Sequence, residues 1–182
     1  MSTLTVTIPT PTNVTVTGPD SITVNTSVSG AFTGYYGLFI STSTQTSTGA
    51  NQVNTATFTS MTNSDGFQLV DSTRIRNLYG GTYFYTFSII ASKTDGGEDD
   101  IDIWLAKNGD NIANSNTHTT VDKTNGHSLI TVTYLATMAA NDDIRVRWSS
   151  ADSTMRLLHT PAASTPTRPA VPSVIFTANQ VR

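Results

Sequence analysis

Hydroxyl side chains limit what this chain can fold into. Its 182 residues include 34 Thr and 19 Ser, more than a quarter of the total. Threonine is β-branched and restricted at χ1, so such a chain favours extended backbone over helix. The residues that normally coat helix surfaces are scarce: one Glu (Glu98) and three Lys (Lys93, Lys107, Lys123). An all-α fold is excluded. Charged residues make up 13% and the formal net charge is −3, which leaves no basic footprint for nucleic acid. With no Cys there are no disulfides and no thiolate metal sites. No apolar run reaches the roughly 18 residues of a membrane span. The opening Met-Ser-Thr-Leu-Thr-Val-Thr has neither a basic n-region nor an apolar h-region, so no signal peptide is expected.

Two regions follow from the patterning. In residues 1–50, Leu4, Val6 and Ile8 alternate with Thr, as do Val14 and Val16, then Ile22 and Val24. Pro9, Pro11 and Gly18-Pro19-Asp20 separate three segments too short to be stable alone. The polar stretch from Ser41 to Asn51 reads as a linker. Residues 1–50 are therefore read as an N-terminal β-rich arm, with outer strands of one sandwich as the alternative, and residues 51–182 as the main domain. There the strongest run is Thr82 to Ala91, with Tyr83, Tyr85, Phe87 and Ile89 in one continuous row. Ile144 to Trp148 alternates apolar residues with Arg145 and Arg147, and Asn108-Gly109 signals a type I′ hairpin. About eight to ten strands, with turns between them and no strand–helix alternation, predict an all-β antiparallel sandwich or jelly roll.

Residues 80–149 carry an ordered set of signals. Gly81-Thr82-Tyr83-Phe84-Tyr85-Thr86-Phe87 resembles the glycine–x–tyrosine–x–phenylalanine strand of the tumour-necrosis-factor-like and complement globular-head jelly rolls. Ile103 to Gly109 resembles that family's apolar strand ending in Lys-Asn-Gly. Leu135 to Trp148 resembles its leucine, spacer, Gly-Asp and alternating-strand element, with Asn141-Asp142 in place of Gly-Asp. Asn enters the left-handed region readily, so the exchange is physically tolerable. The chain departs from the pattern at its end, where Val174-Ile175-Phe176-Thr177 stands instead of a Gly-Phe-Leu-like strand. The resemblance implies a ten-stranded jelly roll that assembles as a homotrimer. The Thr/Ser-rich, Cys-free form with a β-rich arm looks like bacteriophage virion proteins. The expected role is a non-enzymatic capsid decoration or cement protein on the capsid exterior, bound to the major capsid protein. The alternative is a receptor- or carbohydrate-binding head of a tail fibre or head appendage.

Candidate chemistry is sparse. His118, His127 and His159 lie in or beside polar segments, no Gly-x-Ser-x-Gly elbow flanks any Ser, and no metal-type His spacing occurs. No catalytic residue and no cofactor is expected. Asp95, Glu98, Asp99 and Asp100 are weak calcium candidates, since clustered carboxylates and glycine carbonyls suit a hard cation; a solvated hairpin tip is the alternative. Arg145 and Arg147 can pair with Asp142 or Asp143, with another subunit, or with an anionic ligand. Leu4, Val6, Ile8, Val14, Val16, Tyr35 and Tyr36 are the candidate partner contacts. Tyr83, Tyr85 and Phe87 are the candidate trimer contacts, with core packing as the default.

Overall fold

A computed structural model describes residues 34–181. Among them there is no helix, and ten strands of four or more residues form the fold: β1 (Tyr36–Ser41), β2 (Ser60–Asp65), β3 (Phe67–Val70), β4 (Arg74–Asn77), β5 (Gly81–Ser92), β6 (Asp99–Lys107), β7 (Thr117–Val121), β8 (His127–Met138), β9 (Asp143–Ser150) and β10 (Val174–Gln180). They make two antiparallel sheets. One runs β8–β5–β10–β1–β2 and the other β7–β6–β9–β4–β3, each extended by two-residue strands. This is the expected all-β jelly-roll sandwich.

Period-two patterning decides which rows meet. From the first sheet, Phe39, Tyr83, Tyr85, Phe87, Ile89, Val174 and Phe176 point inward. From the second come Ile75, Ile101, Ile103, Leu105, Ile144, Val146 and Trp148. Phe39 meets Phe58, Phe67 and Phe176 edge to face at 6.1–6.2 Å between centroids, the favoured aromatic geometry. Gly37 is required here, because a Cβ would lie 2.7 Å from the Phe39 ring. The buried Tyr85 hydroxyl donates to Asn77 Oδ1 (3.0 Å), and Asn77 Nδ2 reaches the same hydroxyl at 2.7 Å.

Asn108 (φ 52°) and Gly109 (φ 98°) both take positive φ, forming the expected two-residue hairpin into Asp110–Asn111. Asn141 also takes the left-handed conformation, at φ 69°.

Two expectations change. The boundary placed after residue 50 moves: Gly34–Arg182 forms one compact unit, and β1 lies between β10 and β2 with Phe39 fully buried. Tyr83, Tyr85 and Phe87, the candidate trimer contacts, are wholly enclosed within the protomer, as their default reading of core packing has it, and have no surface to present to a neighbour. Leu4, Val6, Ile8, Val14 and Val16 lie outside the described residues.

Candidate functional site

The row opposite Tyr83, Tyr85 and Phe87 faces outward. Register aligns Leu135 with Phe84 and Phe84 with Asn179, which stands beside Tyr36. Further along, Leu129 pairs with Ile90, while Ile175 pairs with Ile40. Leu129 is 70% exposed, Leu135 51%, Tyr36 48% and Phe84 42%. Strands β8, β5, β10 and β1 contain no Asp, Glu, Lys or Arg at all. Between the apolar side chains, hydroxyls pair across strands: Thr86 with Thr133 at 2.8 Å, Ser88 with Thr131 at 3.0 Å and Thr82 with Thr137 at 3.2 Å. These pairs already satisfy much of the hydroxyl hydrogen bonding, so covering the face would orphan few polar groups. An uncharged, partly apolar sheet face of this kind marks an interaction surface rather than ordinary solvated surface.

Tyr35 and Tyr36, expected as a pair of partner contacts, separate. Tyr36 joins the outer face just described. Tyr35 is half-buried and stacks on Tyr79 with centroids 4.2 Å apart. Its ring lies against Gly66 (φ 80°), where an added Cβ would come within 2.6 Å of it. Intramolecular packing therefore occupies Tyr35.

The acidic loop between β5 and β6 is organised by a residue the sequence reading did not connect to it. The Lys93 side chain is fully buried, and its ammonium donates to the carbonyls of Gly96 and Gly97, both at 3.1 Å. It also contacts Asp99 directly and lies 3.4 Å from Asp95 and 3.8 Å from Asp152. Asp95, Asp99 and Asp152 could together hold a cation, with their ligand atoms within 4.8 Å of one another. In this structure Lys93 Nζ lies among them and supplies the positive charge. Thr154 locks the far side: its N–H donates to Asp152 Oδ1 (2.7 Å) and its hydroxyl to Asp95 Oδ1 (2.7 Å). The Thr154 N–H is the main cause that holds the Asp152 carboxyl below its usual range, with Lys93 adding to the effect. Of the four expected calcium candidates, Asp95 and Asp99 join this cluster. Asp100 instead accepts from Thr120 (2.6 Å), and Glu98 is exposed. Asp152 was not singled out because nearly sixty positions separate it from Lys93.

The outer face of the second sheet is charged. Arg145 Nε donates to Asp143 Oδ1 (2.9 Å), one of the pairings expected from sequence, whereas Arg147 donates to Asn111 Oδ1 (2.9 Å). Arg74 clamps Asp71 and is the main reason that the Asp71 carboxyl titrates at about 2. His118 Nδ1 lies 3.2 Å from Asp102 and Nε2 lies 3.3 Å from Asp100. The Asp102 hydrogen bond leads the effects that raise the His118 pKa. His159 Nδ1 faces the Val171 carbonyl at 2.9 Å. Among the described residues no histidine ring bonds a Ser or Thr hydroxyl, so no nucleophile–base pair is assembled.

No protein-family model and no characterised protein sequence matches the chain. Solved structures do resemble it. Murine APRIL aligns with a TM-score of 0.51 at 7% identity, over 81% of this chain and 99% of that one. The globular domain of a zebrafish complement 1qA protein aligns with a TM-score of 0.44 at 12% identity, over 82% of this chain and 96% of the other. The likeness to APRIL shows the fold: a tumour-necrosis-factor-like jelly roll.

Proposed function

We propose that this chain is a non-enzymatic structural protein that assembles as a homotrimer through the outer face of strands β8, β5, β10 and β1. We further propose that the trimer decorates the exterior of a phage capsid, bound to the major capsid protein. The uncharged outer face carries this reading. Leu129, Leu135, Phe84 and Tyr36 are each at least 40% exposed there, within four strands that lack any charged residue. Burying such side chains against copies of the same face contributes roughly 1.5–3 kcal/mol for each one fully covered. Threefold order follows from the resemblance of residues 80–149 to jelly rolls that trimerise. Attachment to the shell is assigned to residues 1–33, where Leu4, Val6, Ile8, Val14 and Val16 alternate with hydroxyl residues in a pattern suited to strand addition. Three such segments on one trimer would act multivalently, so weak single contacts suffice.

The test is cosedimentation of the protein with empty shells of the phage that carries it, using the full chain and a chain lacking residues 1–33. Truncation must stop there, because removing residues 1–50 would take β1 and Phe39 out of the sandwich. The full chain should pellet with shells and the truncated trimer should stay in solution. Equal binding by both would remove the role given to residues 1–33, and no binding by either would remove the capsid role.

A further inference from the structure

We infer that the hollow around Trp104, on the outer face of the second sheet, is a binding site for an uncharged saccharide. This site is independent of the assembly face, which belongs to the other sheet.

The hollow is a shallow, solvent-open depression of about 400 Å³, lined by Asp102, Trp104, Asn111, Asn114, Asn116 and Ser149 among others. Alternation along β6 puts Trp104 outward, between the inward Ile103 and Leu105. The ring is half-buried, and its orientation is fixed: the indole N–H donates to Asn111 Oδ1 at 2.8 Å, and the same oxygen accepts from Arg147 Nη1 at 2.9 Å. A sugar ring presents a C–H face and a rim of hydroxyls, so its receptor needs a fixed aromatic surface and planar polar groups beside it.

Those planar groups are present, and Asn111, Asn116 and Asp102 are each held by one atom with another left over. Asn111 uses its oxygen on Trp104 and Arg147, so its Nδ2 has no acceptor within the described residues. Asn116 Nδ2 donates to Asp102 Oδ1 (2.8 Å), which leaves Asn116 Oδ1 and Asp102 Oδ2 as acceptors without a donor there. Asn114 takes a left-handed conformation at φ 60°, and its side-chain amide has no partner among the described residues. The lining therefore offers both donors and acceptors beside the indole, which suits hydroxyls, since each can give one hydrogen bond and accept others. Trp104, Asn111, Asn116 and Asp102 are already held in place before binding, which lowers the entropy lost on binding.

Charge narrows the ligand. Asp102 lines the hollow, and Asp100 and Asp102 flank His118 next to it. Arg147 gives an Nη1–H to the neutral Asn111 amide and keeps its positive charge, but the carboxylates of Asp100 and Asp102 outnumber it. Phosphate, sulfate and carboxylate groups are disfavoured by this surround, which selects a neutral sugar over nucleic acid or an acidic glycan.

The test uses the full chain and a panel of neutral di- and trisaccharides of glucose, galactose, mannose and N-acetylglucosamine, titrated to about 10 mM. The chain has two tryptophans, and Trp148 is buried in the core, so its indole N–H resonance serves as an internal control. At least one saccharide should shift the Trp104 indole resonance saturably while Trp148 stays still. Trp104→Ala should weaken binding by more than about 10-fold with the thermal midpoint preserved, and Asn116→Ala should weaken it by about 10-fold with both tryptophans retained. The inference is overturned if no neutral sugar moves the Trp104 resonance, if only anionic glycans do, or if binding survives unchanged in Asn116→Ala and Trp104→Ala.

Discussion

Replacing Lys93 by methionine keeps most of the buried side-chain volume and deletes one charge. The ammonium it removes serves the Gly96 and Gly97 carbonyls and the carboxylates of Asp95, Asp99 and Asp152. Removing one partner of a buried ion pair generally costs about 3–5 kcal/mol, because the remaining group is left unpaired. Here Asp95 is half-exposed and Asp99 a quarter exposed, so both rehydrate when the lysine is lost. The expected loss is therefore near the low end, about 3 kcal/mol. For a domain of this size each kcal/mol moves the midpoint by about 2–4 °C, so Lys93→Met should melt about 6–12 °C below the wild type. Circular dichroism at the β-sheet minimum, in chelator-treated buffer, measures it. The variant leaves three carboxylates and two carbonyls around an uncharged side chain, and these are ligands for a hard cation. Calcium at about ten times its dissociation constant should restore about 1.4 kcal/mol to the variant and leave the wild type unmoved. A midpoint within about 2 °C of the wild type would refute the claim that the lysine organises this loop.

Other outcomes follow from the same packing. Leu135→Asp and Phe84→Asp put charge on the outer face without touching the core, so each should keep the β-sheet spectrum while weakening self-association by about 30-fold or more per interface, read by light scattering across a dilution series. Tyr85→Phe leaves the buried Asn77 amide without its hydroxyl partner and should lower stability by about 1–3 kcal/mol in urea denaturation. His118 has a folded pKa raised by Asp102 and Asp100, so its favourable interaction is fully present below the unfolded pKa and is lost as pH rises through the folded one. An NMR titration should find the His118 midpoint above 6.5, and Asp102→Asn should bring it down.

The parts of this fold that were legible in the sequence are those where alternation and burial coincide. Ile144, Val146 and Trp148 face inward with Arg145 and Arg147 outward, as the pattern of β9 requires. The apolar row of β5 was equally visible, but periodicity cannot say what covers a row. Tyr83, Tyr85 and Phe87 met the opposite sheet of their own protomer, and the surface on offer turned out to be the alternate row with Phe84. Strands β2 (Ser-Met-Thr-Asn-Ser-Asp) and β7 (Thr-His-Thr-Thr-Val) are largely exposed edge strands whose polar residues leave no alternation to detect. Strand β1 runs straight into the hydroxyl-rich stretch that begins at Ser41, and Gly37 stands within it because the Phe39 ring fills the space of a side chain. The Lys93 cluster and the Trp104 hollow depend on residues brought together by sheet register, which no local spacing encodes.

Static light scattering on the untagged protein at about 50 μM tests the assembly claim most directly. The account predicts a particle three times the 19.4 kDa chain mass. A particle of 19.4 kDa at that concentration, with Leu129, Leu135 and Phe84 left open to water, would contradict it.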